Sequence, residues 1–112
     1  MRDPRERLQD ILEAIDNIQR YATTGREAFE KDELIQSWCV RHLQIIGEAA
    51  RALPEGTRKS IPEIPWADII GMRHVLVHNY FGIDTELVWN VVENQLVSLK
   101  ASIETFLNPR TD

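Results

Sequence analysis

Apolar side chains recur at steps of three and four over most of this sequence, and at steps of two almost nowhere. Leu8, Ile11, Leu12, Ile15, Ile18 and Ala22 form one such series, with Glu6, Arg7, Asp10, Glu13, Asp16 and Asn17 between them. That spacing puts the apolar groups on one face of a helix and the charged groups on the other. Asp3 before Pro4 is suited to cap the start of this helix and Gly25 to stop it, so the spacing predicts a helix over about Pro4 to Thr23.

The stretch from Arg26 to Asp32 is short, charged and helix-compatible. It leads into a second long series through Leu34, Ile35, Trp38, Leu43, Ile46, Ala49, Ala50 and Leu53, which Pro54 and Gly56 end. Pro54 to Pro65 reads as a connector with room for one helical turn near Glu55 to Ser60. Pro65 opens a further helix through Ile69, Ile70 and Met72, and Asp84 is placed to cap a last one running from Leu87 to the Pro109 tail. Val75 to Val77 is the only strand-like run, too short to outweigh its neighbours. The expectation is an all-α protein, an antiparallel bundle of four main helices with one or two short ones, forming one domain over residues 1–112 with 109–112 as a frayed tail.

At 112 residues the chain can bury roughly two thirds of its unfolded surface in one core. Its net charge of −5 argues against a general RNA-binding protein, which would neutralise many phosphates with a basic surface. Any RNA contact must be local, made by a few cations in a cleft. The charged start and the lack of any 18-residue apolar run point to a cytoplasmic protein without a membrane segment. Cys39, the single cysteine, sits in an apolar helical run and reads as a small buried hydrophobe.

Polar chemistry concentrates in Arg73-His74-Val75-Leu76-Val77-His78-Asn79-Tyr80. RNA can be cut without metal when its 2′-hydroxyl attacks the adjacent phosphorus. That reaction needs a base for the hydroxyl, an acid for the 5′-oxygen and a cation for the charge on phosphorus. Imidazole exchanges protons near neutral pH, and guanidinium can hold two phosphate oxygens at once. Arg73 and Tyr80 share a face of a straight helix, but His78 is turned roughly 140° from Arg73. Either the helix loosens near His78, or two copies meet so that Arg73 of one faces His78 of the other. A bland alternative, cations complementing a helix end, fits Arg73 and His78 when they are taken alone.

Arg73, four residues, then His78-x-Tyr80 resembles the signature of the HEPN superfamily of helical ribonucleases, in particular the HepT-like toxins encoded beside small nucleotidyltransferases. Arg41 with Ile45-Ile46-Gly47-Glu48-Ala49-Ala50 is similar to HepT-type sequence. So are Ile64-Pro65-Trp66 leading to Ile69-Ile70-Gly71-Met72-Arg73, and Tyr80-Phe81-Gly82-Ile83-Asp84 followed by Val88-Trp89. The resemblance implies a homodimer with its cleft between protomers and no cofactor or metal. His78 would be the general acid or base and Arg73 the phosphate clamp, with Tyr80 positioning and Asn79 and His74 adding hydrogen bonds. It further implies a partner nucleotidyltransferase of the MNT type that attaches AMP to Tyr80, and tRNA or mRNA as substrate. The alternative is a non-catalytic helical module that docks a nucleotidyltransferase and needs Tyr80 but not His78.

Other residues read more plainly. Gly47 and Gly71 inside helices suggest close helix crossings. Glu48 and Arg51 fit a cleft wall or an exposed pair equally well. His42 reads as a solvated or boundary histidine rather than a ligand. Trp38, Trp66 and Trp89 read as core or dimer-interface anchors.

Overall fold

The computed structural model describes the backbone of residues 3–75 and 84–109, and the side chains of these residues except 73–75. Every regular element among the described residues is helical. Helix α1 (Pro4–Ala22) begins where the Asp3 carboxylate accepts a hydrogen bond from the Arg5 amide at 2.7 Å, and it buries Leu8, Ile11, Ala14, Ile15 and Ile18. Gly25, at φ 98°, makes the turn into α2 (Arg26–Lys31), a conformation that side chains other than glycine rarely adopt. Asp32 separates α2 from α3 (Glu33–Ala52), its carboxylate accepting from the amides of Leu34 and Ile35 at 2.9 and 3.3 Å.

Helix α3 is the centre of the molecule and packs on α1, α2 and two later helices, α5 (Trp66–Val75) and α6 (Thr85–Asn94). It runs antiparallel to α1: Trp38 donates its indole N–H to the Asn17 carbonyl at 2.7 Å near one end, while Arg7 and Ala52 flank one groove near the other. Helix α7 (Leu96–Leu107) is also antiparallel to α1. Arg5 donates to the Leu107 carbonyl at 3.1 Å, and Lys100 pairs with Asp16 at 3.1 Å. The core between them is aliphatic, with Phe29 of α2 lying against Trp89 of α6 at a ring separation of 5.3 Å.

The connector after α3 holds one short helix, α4 (Glu55–Lys59). Trp66 fastens the connector to the start of α5 by donating its indole N–H to the carbonyls of Arg58 and Ile61, at 2.9 and 3.1 Å. Ile61 and Ile64 are buried beside it, so the connector is a packed part of the core.

Three expectations need correcting. The last helix is divided at Gln95, where φ widens to −106°, although Val88, Val92, Leu96, Leu99 and Ile103 continue one buried stripe through the break. Gly71 is not at a close crossing among the described residues, none of which a Cβ there would meet within 4 Å. His42 is buried rather than solvated, its Nδ1 within 2.9 Å of the Trp38 carbonyl and its ring 4.3 Å from that indole. Gly47 is buried on α3. Cys39 is fully buried, as its neighbours in the sequence imply.

Candidate active site between α5 and α6

Arg73 and His74 occupy the last turn of α5, whose described part ends at Val75. His78, Asn79 and Tyr80 lie outside the described residues. Residues 76–83 connect α5 to α6, and Asp84 caps α6 by accepting from the Leu87 amide at 3.1 Å. Met72 of α5 and Leu87 of α6 line one depression, as do Asp68 near the start of α5 and Gln95 at the end of α6, so the two helices run antiparallel along it. That frame is well anchored. Ile69 and Met72 are buried on one side, and Val88, Trp89, Val91 and Val92 on the other. Trp89 donates its indole N–H to the Glu93 carboxylate at 2.6 Å, which holds the ring in register on α6.

The depression has a volume of about 270 Å³. Ala67, Gly71 and Met72 of α5 and Leu87 and Val91 of α6 supply its apolar lining, and Asp68 and Gln95 are its polar members. Among the described residues neither the Asp68 nor the Gln95 side chain has a hydrogen-bond or ionic partner. Sequence reasoning missed this feature. Gly71 was its one signal, and a helix-interior glycine is more readily taken for a packing requirement.

Glu48 and Arg51 are both exposed on α3. Glu48 borders a groove between α1 and α3 that also carries Arg7, Asp10 and Arg41. Trp89 is a core residue, whereas Trp38 and Trp66 are half-buried, each with its N–H on a backbone carbonyl.

The family model described as "Ribonuclease HepT-like" matches residues 11–106, nearly the whole of the described helical frame and the motif segment within it. The chain belongs to this HepT-like ribonuclease family. Among its HepT-like relatives, a Thermococcus cleftensis protein named "Probable ribonuclease HepT" is 38% identical over 106 residues, which covers 92% of this chain and 94% of the relative. A Methanocaldococcus jannaschii protein named as a "Putative RNase" is 34% identical over 104 residues, covering 92% and 95%. Another of that name, from Caldanaerobacter subterraneus, is 34% identical over 108 residues and covers 96% of each chain. No solved structure matches the chain. No helix among the described residues is long and apolar enough to cross a membrane.

Proposed function

We propose that this HepT-like chain is the toxin of a toxin–antitoxin pair and cuts RNA as a metal-independent endoribonuclease. Family membership over residues 11–106, with Arg73, His78 and Tyr80 in the Arg-x4-His-x-Tyr pattern, carries the reading. The RNA 2′-hydroxyl loses its proton to a base and attacks phosphorus. The bond from phosphorus to the 5′-oxygen breaks, and that oxygen takes a proton, leaving a 2′,3′-cyclic phosphate and a 5′-hydroxyl. His78 performs a proton transfer, and Arg73 holds the phosphate oxygens as their charge grows. Tyr80 positions the imidazole or the phosphate, and Asn79 and His74 add hydrogen bonds.

Two copies form the cleft, as the HEPN resemblance implies, and Arg73 of one then faces His78 of the other, which a single straight helix turns away from it. A partner nucleotidyltransferase silences the site. The Tyr80 oxygen attacks the α-phosphorus of ATP and pyrophosphate leaves, so an anionic AMP group fills a place suited to an RNA phosphate. The net charge of −5 accords with a substrate held at a few points.

The test is digestion of tRNA and mRNA in excess EDTA by protein whose mass shows no AMP on Tyr80. The unmodified wild type should leave 2′,3′-cyclic ends, and His78→Ala should lower the rate by roughly 10²–10⁴-fold. No cleavage by unmodified wild type would instead favour a docking module for the nucleotidyltransferase.

A further inference from the structure

Gly71 poses a question that packing among the described residues does not answer. A glycine inside a helix is less stable than alanine there, and it is normally explained by a neighbour that a Cβ would strike. At Gly71 a Cβ would meet nothing within 4 Å among the described residues. What glycine provides is open space, and that space is the depression between α5 and α6.

We propose that this depression seats one base of the RNA substrate, a base that carries an exocyclic amino group, with Asp68 accepting from that group. The inference rests on the ribonuclease reading and adds a determinant of sequence preference to it. Three observations argue for a base rather than a protein segment. At about 270 Å³ the space falls below the roughly 300–1,000 Å³ of pockets for larger ligands, and suits one flat group. Most of its lining is apolar, from Gly71, Met72, Leu87 and Val91, and its polar members are two, Asp68 and Gln95. A nucleobase has that same division between an apolar face and a polar edge. Met72, in the lining, directly precedes Arg73, the proposed phosphate clamp.

The polar members also select among bases. A carboxylate offers only acceptors, so it suits the amino group of adenine, cytosine or guanine. Uracil presents two carbonyl oxygens around a single N–H, and the carboxylate repels them. The Gln95 amide can donate to a ring nitrogen or carbonyl next to the amino group.

Two readouts on the full chain test this. In ¹H–¹⁵N spectra, the 3′-monophosphates of adenosine, cytidine and guanosine should shift the amides of Gly71 and Val91, and that of uridine should not. Asp68→Asn should admit uridine monophosphate. Gly71→Leu, which favours the helix and fills the space, should abolish the shifts while leaving the rest of the spectrum folded. In cleavage of random-sequence RNA, uracil should be depleted about tenfold or more at one position beside the cut, and Asp68→Asn should relax this.

Cleavage with the same base preference in wild type and both variants would overturn the seat and leave the ribonuclease reading standing. Nucleotide shifts of the expected kind without any RNA cleavage would overturn the ribonuclease reading alone. Shifts at these amides caused by a nucleotidyltransferase, and by none of the four nucleotides, would overturn the seat in favour of a protein-docking face.

Discussion

At the scale of single residues, Gly71 and Cys39 show how burial and open space set opposite expectations. Gly71 lies within α5 with room for a methyl group, so Gly71→Ala should stabilise the fold by about 0.5–1 kcal/mol, measured by urea unfolding. A loss of stability would show that the glycine is needed for packing after all. Cys39 has no solvent exposure, and burial pushes its thiol up from an ordinary 9.0 to about 11. The folded chain therefore holds its proton more tightly than the unfolded chain does. This favours folding below about pH 9, and the advantage is lost as the pH rises toward 11. Wild type should lose about 2 kcal/mol more than Cys39→Ala between pH 8 and pH 10.5, a difference readable from paired urea titrations. Equal losses would show that the thiolate is tolerated in the core.

At the scale of elements, the helices were legible where side chains state their own boundaries, and illegible where only the backbone changes. Asp3 and Asp84, both read as caps from the sequence, each sit at a helix start with the carboxylate on a backbone amide, and Asp32, read only as the end of a charged stretch, does the same for α3. The division at Gln95 left no such mark, because the buried stripe through Val92, Leu96 and Leu99 keeps its step across it. Helix α2 has six residues, too few to persist alone, and it depends on Gln36. The buried Gln36 amide donates to the carbonyls of Phe29 and Glu30 at 2.9 and 3.1 Å, closing the end of α2 onto α3. Gln36→Met keeps the bulk and removes both bonds. It should cost about 1–3 kcal/mol and speed hydrogen exchange in residues 26–31 before the rest of the fold. Uniform exchange across the molecule would contradict that local dependence.

At the scale of the whole molecule, the spacing of apolar residues predicted an α-helical chain, and the motif marked where polar side chains concentrate in the sequence. How Arg73 and His78 come together was not legible. Their spacing fits a loosened helix as well as two facing copies, and one chain's sequence carries no geometry for a second. The base seat was hidden for a related reason, since Gly71, Leu87 and Val91 lie on two helices whose alignment depends on the folded core. An acidic molecule with few phosphate contacts should bind RNA with a shallow salt dependence. The slope of log K against log salt should be about −2 for two or three neutralised phosphates, and a slope steeper than about −5 would point to a basic surface that the composition does not supply.

The central claim is that Arg73 of one copy and His78 of another cut RNA together, and subunit complementation tests it most directly. Arg73→Ala and His78→Ala chains, each tested alone in EDTA, should be inactive beside an active wild type. Co-refolded in equal amounts, half of the dimers would be mixed and each mixed dimer would hold one intact site of two. The account predicts recovery of about a quarter of wild-type cleavage, with 2′,3′-cyclic phosphate ends. Mixed dimers that form and remain inactive would contradict it.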